Sequence, residues 1–584
     1  MRKLEQLLRE TDHKGYPAYK QLKGRYHFPA FELSIDHVQG DPFAAPSSVS
    51  LRIAPGDHGI PKEYYETPHR RIMLQDYLLR SFGRELAKYD HRAKGSGKSG
   101  TLSVSRCRQE VLERSALQID PASGLLTLRL YAGFPAAGRT TLSMELKKML
   151  MEYIPDCAAR CLRYAAISKP ALLKWIRLSD DQQSIRSQLS EQGLVAFVAN
   201  GANLPRKSGV DDTPMKGSVP FTSPKENEIT LTLPEGRTIT GMGIRKGITL
   251  IVGGGYHGKS TLLKALERGV YNHIPEDGRE YVITESTAMK IRSEDGRSVK
   301  QLDISPFIRN LPNNKDTTCF STEDASGSTS QAANTVEAVL SGSKTLLIDE
   351  DTCATNFMVR DELMQKVVLQ SQEPIVPFLH RMRQLYDTKG ISTILVAGSC
   401  GAYFAVSDHI LQMKEYEPSD ITKKAKEAAE EFADVHAGKT EASDYDARNT
   451  ERNGAAAPPD ELKDWQDKRI PLANKNVTES KKVKVKGAGT DAVILNHESV
   501  ELRFVEQVVD SEQTNLLGTM LRFLEENRFN GKTPLTDCVN SVYQAYSSQS
   551  FGAVTPGHAV PGNLAEVRVQ ELWAMVNRYR GLKL

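Results

Sequence analysis

The sequence predicts an α/β fold, a P-loop nucleotide-binding core carried between two α+β regions. Two observations predict the core. An apolar run, Gly247–Val252 (GITLIV), of the kind that becomes a buried parallel strand, leads into Gly253–Thr261 (GGGYHGKST) and then into a helical stretch, Leu262–Arg268. A second apolar run, Thr345–Glu350 (TLLIDE), ends in two carboxylates.

The first run meets the spacing G-x-x-x-x-G-K-S in full, inside the strand–loop–helix context that the motif needs. Gly253, Gly254, Gly255 and Gly258 let backbone N–H groups close around phosphates, and the helix start adds the positive end of a dipole. Tyr256, His257 and Thr261 complete the loop. Lys259 is expected to reach the β- and γ-phosphates of ATP, and Ser260 to ligate Mg²⁺. In the second run, Asp349 is placed at the sheet edge to hold the Mg²⁺ water shell, and Glu350 beside it to polarise the attacking water.

The flanks follow from composition. At 584 residues the chain is long enough for about three or four domains. Residues 1–212 read as an N-terminal α+β domain, 213–416 as the nucleotide domain, 417–490 as a charged helix and linker, and 491–584 as a C-terminal α+β domain. In the first, Arg71–Leu86 has helical periodicity and Leu125–Tyr131 (LLTLRLY) alternates as a strand does. His91–Gly100 contains GSGKS, but Arg92 stands where a P-loop needs glycine and no buried strand leads in. It reads as a flexible basic loop. Ala199–Asp212, rich in Gly and Pro, is a domain junction by composition. Residues 417–433 read as helix, His436–Pro459 as a polar linker, and Ser499–Val509 as strand-like. The chain closes in a helix with Val569, Leu572, Trp573, Val576 and Tyr579 as its apolar stripe and Arg568, Arg578 and Arg580 around it.

No stretch approaches the ~18 apolar residues that span a bilayer. The N-terminal MRKLEQLLRE lacks an apolar h-region and carries acidic residues, so a cytoplasmic location with no membrane or transmembrane partner is expected. Seven scattered cysteines fit a reducing compartment, and Cys157 and Cys161, one helical turn apart with no partner pair, read as buried small residues. A net charge of +3 says little about partners.

The surroundings of Asp349 carry a family likeness. Asp349–Asn356 reads DEDTCATN, which resembles the Walker B and D-loop pattern D-E-P-T-x-x-L-D of ABC ATPases. Ala325–Thr329 (ASGST), with Gln331 close behind, resembles their signature L-S-G-G-Q, and 23 residues separate Ser326 from Asp349, the family's usual interval. An ordinary N-capped Ser/Thr/Gly loop is the other reading of that segment. The resemblance implies an ABC-type core in which Ser326, Gly327 and Ser328 of one subunit meet the γ-phosphate held by the other, in a homodimer with ATP sandwiched between two cassettes. It also marks departures. Tyr256 and His257 occupy usually small positions, and Asn356 replaces the D-loop Asp. Ala397–Cys400 stands where a switch His should end the strand Ile391–Val396, with Ser399 as a substitute; His409 could reach round but reads better as a structural residue. That loss argues against fast hydrolysis. Gln301 is the candidate for the Q-loop contact to the metal, and Phe221 for stacking on adenine.

Asp303–Pro312 (DISPFIRNLP), ASGSTSQAANTVEA and LLIDEDTCATNFMVRDE together resemble a narrower group, the predicted ATPases of the ABC class, to which a kinetoplastid mitochondrial RNA-binding-complex ATPase belongs. The likeness extends to Phe197–Asp212 and Glu571–Arg580. It implies flanking domains unlike those of transporters and RNA as the ligand. Basic clusters at His91–Lys98, Pro205–Lys207, Lys481–Lys486 and the C-terminal arginines are compatible with RNA, although no RRM or KH signature is present. The alternative is an ATP-dependent switch that remodels or assembles a protein partner without nucleic acid. The D-loop and the signature interval argue against a small-molecule kinase.

Overall fold

Alternation of leucines builds the first sheet. In the computed structural model, which describes residues 1–360, 373–437, 462, 465–480 and 483–584, the strand Leu126–Ala132 buries every second residue and sets Leu128 opposite Leu51 of Ser47–Ile53. The antiparallel order is Gly24–Phe28, Phe31–His37, Ser47–Ile53, Leu126–Ala132 and Leu102–Ser103, with Leu117–Ile119 also paired to Leu126–Ala132. The helix Pro68–Ala87 begins with proline at its first position and buries Leu74, Leu78, Phe82 and Leu86. Cys157 and Cys161 lie buried on the helix Ile154–Cys161, and burial pushes their thiols up to about 12 and about 11.

The His91–Gly100 segment departs from the flexible loop that its composition suggested. Ser96 N–H donates to Ala136 O at 2.7 Å, Lys98 N–H to Pro42 O at 2.8 Å, and Gly100 N–H to Gly133 O at 2.9 Å. Gly97, at φ 62°, makes this possible, because a Cβ there would lie 2.6 Å from Pro42 O. The chain enters this loop from a helix and leaves it into the short strand Leu102–Ser103, so it lacks the strand–loop–helix frame of a P-loop. Lys94 and Lys98 remain exposed.

By its internal contacts the chain forms two units, Met1–Gln183 with Gly557–Glu566, and Ser184–Pro556 with Val567–Leu584. Residues 199–212, read from composition as a junction, lie inside the second unit. They follow the fully buried strand Leu194–Ala199, which sits between Thr238–Arg245 and Val282–Thr284 in an antiparallel sheet completed by Glu228–Thr232.

The second sheet of this unit runs in the order Met289–Ile291, Thr345–Asp349, Ser392–Val396, Ile248–Val252, His409–Lys414 and Glu417–Asp420. Its first five strands are parallel and the last is antiparallel. Residues 417–420, expected as helix, form that edge strand, and the charged helix starts only at Thr422 and runs to Ala437.

In the C-terminal part, the strands Val485–Ala488, Ala492–Leu495 and Glu498–Glu501 pair antiparallel. The strand expected over Ser499–Val509 stops at Glu501. The segment beyond it runs irregularly to Asp510, which caps the helix Ser511–Asn527 in a capping box with Gln513. The closing helix Val569–Arg578 buries Leu572, Trp573 and Val576 and packs on the helix Gly327–Leu340.

Two of its three arginines are not surface charges. Arg578 pairs with Glu294 and reaches Asn334, while the neighbouring Arg297 pairs with Glu337. Arg568 pairs with Glu571 and donates to the carbonyls of Ser286 and Ala288. Burial alone would raise the Glu294 carboxyl, but Arg578 and Arg297 hold it below the usual carboxylate range. Arg206 is likewise buried against Asp277. These side chains are spent inside the fold and leave the set of free basic groups. No helix among the described residues is long and apolar enough to cross a membrane.

Glu506 is the second latch between core and C-terminal part. It bridges Lys264, on the helix Lys259–Arg268, at 2.9 Å and Arg292, just beyond the strand Met289–Ile291, at 2.7 Å. Burial opposes its ionisation, yet Lys264, Lys290 and Arg292 bring its pKa down from 4.5 to about 2. A carboxylate with a depressed folded pKa contributes stability in full above its unfolded value and loses it as the pH falls through the folded one. The advantage of the wild type over Glu506→Gln in guanidinium unfolding is therefore expected to hold from pH 7 to 5 and to shrink between pH 4.5 and 2. An advantage independent of pH would contradict the assignment.

Candidate functional site

Strand register brings the site together. Val396 pairs with Ile251 on one side and with Asp349 on the other. The loop after Val252 and the acids Asp349 and Glu350 therefore leave the sheet at the same carboxyl edge, where open parallel sheets bind ligands.

The loop Gly253–Gly258 turns through positive φ at Gly253 (144°) and Gly258 (96°) and opens the helix Lys259–Arg268 without a side-chain cap. Its first amides are thus available to an anion. The Lys259 ammonium lies across the loop, donating to Gly253 O at 2.7 Å and Gly254 O at 2.8 Å, and Ser260 is exposed on the first turn. Gly254 and Gly255 are exposed, and Thr261 follows on the helix.

The two unusual residues of this loop do different things. His257 folds over Gly254, where a Cβ would lie 2.9 Å from the imidazole Cδ2. Its Nδ1 accepts from Glu415 N–H at 2.9 Å, and its carbonyl accepts from Tyr416 N–H at 3.1 Å. It ties the loop to the turn that joins the strands His409–Lys414 and Glu417–Asp420. Tyr256 instead stands fully exposed at φ 62°, a costly backbone conformation for an aromatic residue.

That turn was not legible as part of the site. Glu415 and Tyr416 both have positive φ, and the Tyr416 ring closes on the helix start, 2.8 Å from where a Cβ on Gly258 would be. A shallow cleft lies there, lined by Leu204, Val219, Phe221, Thr261, Met413 and Tyr416. Phe221 belongs to its wall but is itself buried, whereas Val219 and Tyr416 are exposed.

Asp349 is buried, and its Oδ1 accepts from Asp351 N–H at 3.3 Å, capping the turn Glu350–Thr352. Glu350 Oε2 accepts from Gly398 N–H at 2.9 Å and Ser399 N–H at 3.3 Å. The segment that replaces a switch histidine thus grips Glu350 with backbone amides, and Ser399 contributes its amide to that grip. His409 does not come to this edge. It pairs with Thr249 near the start of its strand, three residues of ~3.3 Å rise short of the carboxyl end.

Ser326 caps the helix Gly327–Leu340, accepting from Thr329 N–H at 3.5 Å, and is exposed. Ser328 Oγ donates to Asn356 Oδ1 at 2.5 Å, and Gln331 Oε1 accepts from Ala354 N–H at 2.8 Å. Asn356 therefore fastens the segment after the acids to the helix start. Sequence reasoning missed the loop Ser293–Arg297, which holds this helix from the other side. Gly296 N–H donates to Ala325 O and Ala325 N–H to Arg297 O, both at 2.9 Å, and Ser293 donates to Thr352 O at 3.1 Å. The hydrogen bonds of Ser326 and Ser328 go to Thr329 and Asn356, not to the P-loop of the same chain.

Gln301, expected at the metal, is not brought to this edge. It lies exposed on the strand Val299–Leu302, donating its N–H to Ser321 Oγ at 2.9 Å, beside Leu582 and Leu584. The antiparallel pairing of Val299–Leu302 with Phe320–Thr322 holds it there.

Three family profiles match in series along the chain. Residues 1–165 match the N-terminal region of the ATPases of the ABC class, 168–450 the P-loop domain of ABC ATPases, and 484–584 the MRB1590 C-terminal domain. A curated relative, the uncharacterized protein MJ1628 of Methanocaldococcus jannaschii, is 30% identical over 260 residues, 40% of this chain. The chain spans about half of that relative's length, 54%. Among solved structures, cbiO1 of Clostridium perfringens, part of the ABC transporter complex cbiONQ, is 13% identical with a TM-score of 0.27, covering 42% of this chain and 95% of its own. The ADP conformation of MJ1267, an ATP-binding cassette of an ABC transporter, is 13% identical with a TM-score of 0.25, covering 42% of this chain and 99% of its own. Likenesses at that level carry no further weight.

Proposed function

Because the chain belongs to the ABC-class ATPase family, we propose that it binds and hydrolyses Mg²⁺–ATP between two copies of itself and uses the closure to act on RNA. The observation that carries the reading is the shared carboxyl edge. One strand, Ser392–Val396, holds the P-loop strand on one side and the acid-bearing strand on the other.

In this reading the amides of Gly253–Ser260 and the Lys259 ammonium receive the β- and γ-phosphates. The exposed Ser260 hydroxyl and the Asp349 carboxylate are the hard oxygen donors that Mg²⁺ favours, so the donor set fits that ion. Bound Mg²⁺ would neutralise charge on the phosphate oxygens. Glu350 orients the attacking water from a carboxylate held by Gly398 and Ser399. Beside Gly258 and Thr261, the exposed Tyr416 ring offers the base a stacking face, and the buried Phe221 does not.

Support for a second copy comes from the signature segment. Ser326 lies exposed at an anion-friendly helix start, bonded away from its own P-loop. Its helix is locked to the C-terminal part through Arg578, Glu294, Arg297 and Glu337. Closure on a partner's ATP would therefore be transmitted to that part.

Support for RNA comes from the match to the MRB1590 C-terminal domain, the family's RNA-binding-complex relatives and the exposed cations Lys94, Lys98, Lys484 and Lys486. Lys481 and Lys482 lie outside the described residues. A cytoplasmic setting without a membrane partner accords with this reading.

Glu350→Gln is expected to lower kcat by about 10²–10⁴-fold while ATP still binds, leaving an ATP-loaded dimer in sedimentation. Hydrolysis at the wild-type rate would remove Glu350 from this role. Changing Lys94, Lys98, Lys484 and Lys486 to Gln is expected to weaken binding of a labelled RNA and flatten its salt dependence, by about 0.7 in log–log slope for each phosphate no longer neutralised. Unchanged, salt-insensitive binding, with one protein co-purifying in nuclease-resistant stoichiometry, would favour the protein-partner reading instead.

A further inference from the structure

Exposed apolar side chains standing singly are ordinary, so Phe43 draws notice for how it is held. It is 62% exposed. Asp41 fixes its turn, with Oδ1 accepting from the N–H groups of Phe43 at 2.8 Å and Ala44 at 3.0 Å. Gly97 backs its ring, since a Cβ there would lie 2.8 Å from Phe43 Cδ1. The ring therefore rests against bare backbone on one side and is open to solvent.

Its surroundings are basic. Gly97 belongs to the loop His91–Gly100, and the neighbouring Lys98 is tied to the Phe43 turn by its N–H bond to Pro42 O at 2.8 Å. On the other side of Gly97, Ser96 Oγ accepts from Gly138 N–H at 2.9 Å, which brings in the adjoining Arg139. Lys94, Lys98 and Arg139 are exposed, and none of them is in an ion pair among the described residues. They differ in this from Arg206 and Arg578, whose charges are met inside the fold. Asp41 lies within the Phe43 turn, but one of its oxygens is already taken by two amides.

An open ring among unpaired cations matches what a flexible nucleic-acid strand offers: phosphates for the cations and a free base face for the ring. Paired bases present no such face, being stacked on one another within the duplex. An apolar protein surface would reach the ring only by stripping water from the charges around it. We infer that the Phe43 turn and the loop His91–Gly100 form a binding site for single-stranded RNA, in which the Phe43 ring stacks on a base and Lys94, Lys98 and Arg139 meet the phosphates. The inference rests on the proposed action on RNA, and assigns to it the strand form and the stacking residue.

Stacking and charge leave different marks on affinity. Titrated with a labelled single strand of mixed sequence, full-length Phe43→Leu should bind about 5- to 150-fold more weakly than the wild type, the loss of one stacked base. Its log–log salt slope should stay that of the wild type, because leucine removes no phosphate contact. Lys98→Gln should instead flatten that slope. Phe43→Tyr, which keeps the aromatic face, should bind as the wild type does. The melting temperature of Phe43→Leu should be unchanged, since the ring is largely in water. The same strand annealed to its complement should bind more weakly than the free strand, and Phe43→Leu should not alter its affinity. Wild-type affinity for the single strand in Phe43→Leu would overturn the stacking role and leave the action on RNA standing. A loss of affinity in Phe43→Leu that also flattens the salt slope or lowers the melting temperature would overturn it too. A wild-type protein that binds neither form of the RNA would overturn both the inference and the reading on which it rests.

Discussion

The pairing of Val396 with both Ile251 and Asp349 is the constraint on which the rest depends. It fixes three strands in one register, so a phosphate-binding loop and a pair of acids leave the sheet at the same level. A slip of one residue in any of the three would turn its side chains to the opposite face of the sheet. The strands are buried on both faces, with Ile251, Leu346, Leu347, Ile348, Leu395 and Val396 all interior. Chemistry at the edge is thereby positioned by packing in the core.

Around that edge, loops do the fastening. The Glu415–Tyr416 turn holds the P-loop through His257, and Gly398 and Ser399 hold Glu350. Asn356 and Ser293–Arg297 hold the signature helix start from two sides. Arg578 of the C-terminal part pairs with Glu294 of that loop and donates to Asn334 on the helix, Arg297 of the loop pairs with Glu337 on the helix, and Glu506 ties the C-terminal part to the P-loop helix. Both the helix Gly327–Leu340 and the P-loop helix are thus tied to the C-terminal part.

The sequence made the strands and the P-loop legible because their signals are local: an apolar run, a fixed glycine spacing, two acids at a strand end. What it hid is long-range. Nothing near Glu506 announces Lys264, 242 residues away, and nothing near Arg578 distinguishes a buried ion pair from a surface charge. Gln301 was the candidate for the metal, but the pairing of Val299–Leu302 with Phe320–Thr322 decides where it lies. The basic His91–Gly100 loop looked mobile because glycine is usually read as freedom. Here it permits close approach instead. His409 is a residue of the sheet, the reading preferred for it over a switch role, and its pairing with Thr249 fixes it there.

The central claim is that the site is completed by a second copy, and a mixing experiment tests it most directly. One sample would carry Lys259→Ala, which removes the lysine proposed to bind phosphate but leaves Ala325–Thr329 intact. The other would carry Gly327→Asp, which places a carboxylate in the signature and leaves the P-loop intact. Each alone should hydrolyse ATP only at background. Mixed and allowed to exchange, they should regain activity, because a mixed dimer joins one intact P-loop to one intact signature. A mixture as inactive as its components, or a Gly327→Asp protein as active as the wild type, would contradict a site shared between two chains.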